Sequence, residues 1–203
     1  VNRRAVDAVR SVAAGRALVM GSVGPCGAIL KPYGDAEPEL VAAGFRRQIG
    51  ALVGAGADLI CIETMIDLAE AKLAVAAARA CSAEIPILAT MTFDATPRGF
   101  FTTMGTSVAE ACAGLAAAGA DAVGSNCGNG IARMVEIARE LARHATLPIA
   151  IQANAGLPEH RDGALVWPET PAPFAAQVPE LLDLGVRIIG GCFGTGPAHV
   201  RAV

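Results

Sequence analysis

Apolar and polar positions alternate along this chain in two textures. Short, unbroken, β-branched runs lie near residues 17–22, 58–62, 86–92, 121–125, 148–152 and 187–190. Runs of this kind suit parallel strands covered on both faces. Between them lie longer Ala-rich stretches with mixed charge, which predict helices near 2–13, 37–55, 67–81, 106–118, 130–143, 171–184 and 197–203. "DAEPEL" and "DLAEAK" read as acidic helix starts, and Gly56, Gly119 and Gly185 read as helix stops.

Those three glycines introduce related segments, "AGADLICIE", "AGADAVGSNC" and "LGVRIIGGC", spaced 63 and 66 residues apart. A further apolar run, "IPILATMTF" or "LPIAIQAN", falls inside each interval. The period is therefore about 32 residues, close to the ~31 per βα unit of an eight-fold barrel. Six βα units also fit a doubly wound open sheet. The evenness of the repeat and a pattern that starts inside a helix favour a (β/α)8 TIM barrel of the α/β class, lacking its first two βα units. With no long linker or low-complexity tract, residues 1–203 are expected to form a single, N-terminally incomplete barrel domain.

Composition narrows the function. Of 203 residues, 53% are hydrophobic and 17% charged, with a formal net charge of −3, enough apolar mass for one large core. No basic cluster marks a nucleic-acid partner. No apolar run approaches the ~18 residues of a membrane span. Charges in "VNRRAVDAVRSVAAG" break up any export leader, so a cytoplasmic location is expected. In such a reducing compartment the six cysteines are expected as free thiols, and their spacing matches no disulfide scaffold or CxxC module.

Barrel chemistry sits at the C-terminal ends of the strands. Two of those ends present cysteine beside glycine, Cys127 in "GSNCGNG" and Cys192 in "GGCFGTG". Two thiolates at one mouth suit a soft metal such as zinc, and equally suit two structural thiols. Glu63 ends "DLICIE", where a carboxylate is costly to bury without a partner. It reads either as a site for the ammonium of an amino-acid substrate or as a cap for the next turn. Asp94 and Asn154 fall in loop positions common for their residue types. The 190–196 loop could alternatively cradle an anion at a helix start. His144 and His199 read as a surface and a structural residue, and His160 as a loop residue near the mouth.

Taken in order, "GSVGP", "GADLICIETMIDLAEAKLAVAAAR", "MTFD", "GSNCGNG", "ANAGLP" and "GGCFGTGPAHVRAV" resemble the homocysteine S-methyltransferase family, which includes the homocysteine module of cobalamin-dependent methionine synthase and betaine–homocysteine methyltransferase. The resemblance covers nearly the whole chain. It implies a barrel enzyme of methionine biosynthesis that transfers a methyl group to a zinc-activated thiol. It also implies that Cys127 and Cys192 bind zinc, that Glu63 holds the substrate amino group, and that Asp94 and Asn154 lie near the pocket. The methyl donor would be a methylcorrinoid, a methylsulfonium or betaine, and the partners a small thiol or amino acid, a corrinoid domain or protein, or a second copy of the chain.

One position departs from the pattern. Where the family has a second, adjacent cysteine ligand, this chain has Phe193. Cys26, Cys61 and His160 are the candidates for a replacement ligand. The alternative is a zinc-free or non-catalytic binding member of the same family.

Overall fold

In a computed structural model that describes residues 1–161 and 163–203, the chain begins with α1 (Asn2–Ala13), β1 (Met20–Val23), α2 (Pro38–Gly54), β2 (Leu59–Met65), α3 (Leu68–Cys81) and β3 (Ile87–Met91). A first hairpin, β4 (Asp94–Thr96) and β5 (Gly99–Phe101), precedes α4 (Val108–Ala118), β6 (Ala122–Gly130), α5 (Ile131–His144) and β7 (Ile149–Asn154). A second hairpin, β8 (Glu159–Arg161) and β9 (Ala164–Val166), leads to α6 (Pro171–Ala176), α7 (Val178–Asp183), β10 (Val186–Gly191) and α8 (Pro197–Ala202).

The main sheet has six strands in the order β1-β2-β3-β6-β7-β10, every neighbouring pair parallel. Apart from the hairpins this is chain order, without the reversal that defines a doubly wound sheet. The architecture is therefore the α/β barrel type, seen here as a six-stranded arc. The outward strand faces pack with the helices into one large core, including Ile60, Ile62, Met91, Phe93, Val123, Met134, Ile137 and Ile151. The inward faces form a separate small layer of Cys61, Leu88, Ala122 and Ala150. Strand alternation makes the two layers distinct. No helix among the described residues is long and apolar enough to cross a membrane.

The repeated "AGAD" segments have a physical basis. Gly56 and Gly119 take the left-handed φ (88° and 101°) that ends a helix, as does Gly185 (86°). The aspartates then receive the entry of a neighbouring strand. Asp58 accepts from the Val19 N–H at 2.6 Å and from Arg10 at 2.9 Å. Asp121 accepts from the Ile87 N–H at 2.7 Å and pairs with Arg79. The N–H and guanidinium together hold the Asp58 carboxyl below its ordinary range. This is the end of the sheet opposite the strand C-termini, where these bonds serve stability.

Two expectations are corrected. The helix read over 171–184 is two short helices, α6 and α7, meeting at Gln177. Pro179 at the second position of α7 has no N–H, and in one continuous helix its ring would collide with the carbonyl of the preceding turn. The segments after β3 and β7, read as loops, carry the two hairpins. Their three-residue arms are too short to set up an alternation. The first is fixed instead by the Thr96 hydroxyl, which accepts from the Arg98 N–H at 3.2 Å and donates to the Gly99 carbonyl at 2.8 Å.

Candidate functional site

Above the small inner layer, the strand C-termini bring polar side chains together. Asn126, on β6, is fully buried. Its Oδ1 accepts from the Thr64 N–H and from the Thr90 hydroxyl, each at 2.7 Å. Its Nδ2 donates to the Thr64 hydroxyl at 2.8 Å and lies 4.0 Å from the Cys192 Sγ. One amide thus ties the ends of β2, β3 and β6 to the residue that follows β10. Thr92 adds a hydroxyl to the Asn126 carbonyl at 3.0 Å.

Thr64 and Cys127 both take left-handed backbone angles, φ 62° and 64°, which cost energy for residues with a side chain. Each sits where its strand slips register, between Ile62 and Met65 in one pair and between Asn126 and Gly130 in the other. Such a bulge re-aims side chains at a barrel rim. Its effect is that Asn126 and Cys127, consecutive in sequence, both serve the mouth. The Cys127 thiol is a near neighbour of Cys192 and raises its pKa.

Burial, followed by the adjacent Cys127, pushes the Cys192 thiol up to about 11. It is therefore protonated near neutral pH. Cys61, two residues before Glu63 and on the same inward face, is raised by burial first, then by the Glu63 carboxylate and Cys192. Its Sγ faces Gln152 Oε1 at 4.0 Å. Glu63 is half-buried and accepts from the Ser22 hydroxyl.

Asn154, buried at the end of β7, accepts from the Phe193 N–H at 3.2 Å, while the Phe193 carbonyl accepts from the Ala155 N–H at 2.9 Å. The Phe193 ring turns outward, 59% exposed. It stacks on Trp167 with ring centroids 6.3 Å apart and planes 11° from parallel. Trp167 lies over Gly194 so closely that a Cβ there would collide with the indole. His199 completes this side, bridging the Gly196 N–H at 3.2 Å and the Glu169 carbonyl at 3.0 Å.

The structure thus brings Glu63, Cys127, Cys192 and Asn154 to one mouth. Asp94 is exposed in β4, opposite Phe101 in the first hairpin. Sequence reading missed Asn126, Thr90, Gln152 and Trp167. The first three had a signal, a polar residue at an inward register position of an otherwise apolar strand. Trp167 had none.

A profile of the homocysteine S-methyltransferase family matches residues 1–203. The chain belongs to the homocysteine S-methyltransferase family. It is 33% identical to methionine synthase of Mycobacterium tuberculosis over 190 residues, 91% of this chain and 16% of that protein. It is 30% identical to betaine–homocysteine S-methyltransferase 1 of Rattus norvegicus over 222 residues, all of this chain and 52% of that protein. The chain thus spans a minor part of the first relative and about half of the second. Its fold superimposes on the homocysteine methyltransferase MmuM from Escherichia coli, in apo and metallated forms, with a TM-score of 0.73 in both. Identity there is 26%, over 98% of this chain and 67% and 65% of those chains.

Within this family the residues can be tested against a three-thiolate zinc centre. Cys127 and Cys192 supply two adjacent thiols. The third position is Phe193, a hydrocarbon ring turned away from them. None of the replacements considered above completes the set. Cys26 is exposed on the β1–α2 segment, its N–H bonded to Glu70 and its Sγ to the Ala28 carbonyl. His160 is exposed on β8. Cys61 approaches Cys192, yet among the described residues no group of three His, Cys, Asp or Glu side chains is arranged to hold a metal. The residues present do not fit the three-ligand centre.

Proposed function

We propose that this mouth binds homocysteine, or a closely related thiol amino acid, as the acceptor in a methyl transfer. The observation that carries the reading is the convergence of Glu63 and the Cys127–Cys192 pair at the strand C-termini of a chain of this family. In the proposed pose the acceptor ammonium meets the Glu63 carboxylate, taking the place of the Ser22 hydroxyl or sharing the carboxylate with it. The acceptor thiol lies toward Cys127 and Cys192. Asn126 fixes that end of the mouth by pinning three strand ends at once, which is the positional contribution a transfer in line requires.

The transfer balances simply. The acceptor sulfur bonds to the donor's methyl carbon, the bond from that carbon to the donor breaks, and the thiol proton leaves to solvent. A methylsulfonium or betaine donor departs as a neutral sulfide or amine. A methylcorrinoid, joined to or delivered by a longer polypeptide, is the other donor class. Nucleic acid and membrane play no part in this reading, and the expected setting is cytoplasmic.

The test is calorimetric titration with homocysteine beside a methionine-forming assay supplied in turn with S-methylmethionine, betaine and methylcobalamin. Glu63→Gln, which keeps the shape and removes the charge, is expected to weaken homocysteine binding about 10-fold or more, the scale of one charge-assisted hydrogen bond. Homocysteine affinity equal in wild type and variant would overturn the role of Glu63.

Phe193 favours a second reading, a zinc-free binding member of the family. A thermal-shift titration with homocysteine in excess chelator reads zinc-free binding, because a ligand stabilises only the state it binds, and the methionine-forming assay then separates the two. Stabilisation that survives the chelator, with no methionine formed from any donor, supports the second reading.

A further inference from the structure

Position 193 has a structural occupation of its own. Its backbone is bonded on both sides, N–H to Asn154 and carbonyl to Ala155, so the residue is tied to the start of the segment that follows β7. Its ring stacks on Trp167, which lies at the end of that same segment. Gly194, at φ 80°, carries no Cβ that would block the indole. The segment's next residues are fastened to the rest of the rim. Glu169 Oε2 accepts from the Ile131 N–H at 3.0 Å, and the Glu169 carbonyl faces His199. Phe193 and Trp167 together therefore clamp the hairpin arm between β7 and α6 onto the loop after β10.

We propose that position 193 has exchanged metal ligation for this aromatic clamp, so that the mouth is a two-thiol site that does not retain zinc as a resident ion. The donor set carries the argument. Zinc in protein sites takes three or four nitrogen, sulfur or oxygen ligands from side chains, whereas Phe193 offers none and its ring is turned out against Trp167, which leaves Cys127 and Cys192 as the two thiols at the mouth. The inference rests on family membership and on the ligand set, and stands whether or not homocysteine is the acceptor.

The experiment uses the full chain in three forms: wild type, Phe193→Cys and Phe193→Ser. Each is loaded with zinc, dialysed, and assayed for zinc by elemental analysis and by competition with a chromophoric chelator. Cobalt(II) is the second probe, since thiolate-to-cobalt absorption counts sulfur ligands. The expected result is no retained zinc in wild type and Phe193→Ser, and about one zinc per chain in Phe193→Cys. The affinity gain would be about 100-fold or more, the share of one ligand in a tight structural site.

Trp167 is the only tryptophan in the sequence, so its fluorescence reports the clamp directly. Both variants are expected to shift its emission toward that of exposed indole. Circular dichroism establishes that they remain folded. About one zinc per chain in the wild type overturns the inference, because another ligand then completes the set. Zinc in none of the three also overturns it, because position 193 would not be what separates the mouth from a zinc centre. An unchanged Trp167 spectrum in both variants would remove the clamp.

Discussion

The two sides of the mouth are held by different physics. On the β2–β3–β6 side a single buried amide, Asn126, satisfies two side-chain hydroxyls and one backbone N–H, and two residues with left-handed φ are kept in place around it. On the β7–β10 side a pair of rings, Phe193 exposed and Trp167 half-buried, and a handful of loop hydrogen bonds do the holding. A buried polar network is all-or-none, since removing one member strands its partners without water. An aromatic clamp at the surface is graded, and its partners can be solvated when it opens. Cys127 lies on the all-or-none side. Phe193 lies on the graded side, where a residue type can change without breaking a buried hydrogen-bond network.

Breaking the network is the harshest test of that contrast. Asn126→Ala leaves the Thr64 N–H and the Thr90 and Thr64 hydroxyls without their partner in a dry site, and it frees strained backbone at Thr64. A loss of about 3 kcal/mol is expected in urea unfolding. A loss under about 1 kcal/mol would mean that water reaches the network and that the two sides do not differ as described.

The clamp is expected to respond more gently. A double-mutant cycle with Trp167→Leu and Phe193→Leu isolates the ring pair, and a coupling of about 1 kcal/mol is expected from urea unfolding of the four proteins. Coupling near zero would assign the arm's attachment to the backbone bonds of Phe193 and to His199 alone.

How much of this was legible in the sequence follows the same divide. The regular parts were written in patterns with a period. The apolar runs located all six main-sheet strands, and Gly56, Gly119 and Gly185 marked turns that need left-handed backbone. Cys127, Cys192, Glu63 and Asn154 were legible as strand ends, because the alternation of a strand and the polarity of a barrel fix which end faces the chemistry. Asn126, beside Cys127, left a trace as a polar residue at an inward strand position, but its role as the tie between strand ends did not show. Its importance depends on bulges in two strands, and register slips leave no periodic trace. The hairpins and Trp167 were illegible for a related reason. Their arms are short, and the ring pair joins residues 26 positions apart through loop geometry alone. Pro179, by contrast, was visible in the sequence inside a stretch read as one helix, and its missing donor was reason enough to break it.

The smallest effect expected comes from the layer behind the β6 side. Cys112, in α4, is buried behind the sheet, and burial pushes its thiol from an ordinary value of 9.0 up to about 11. The sign follows from which state keeps the proton. Below about pH 9 the thiol is protonated whether the chain is folded or not, and its contribution is complete. Between about pH 9 and 11 the unfolded chain releases the proton while the folded chain retains it, so stability falls as pH rises. Above about pH 11 both states are ionised and the decline from this group ends. Urea midpoints from pH 7.5 to 10.5, under reducing conditions, should therefore fall more steeply in wild type than in Cys112→Ala. Comparing slopes rather than midpoints cancels both the cavity left by the substitution and the titration of every other group. Equal slopes would mean that Cys112 is solvated in the folded chain, and that the packing of α4 against β6 is looser than the structure describes.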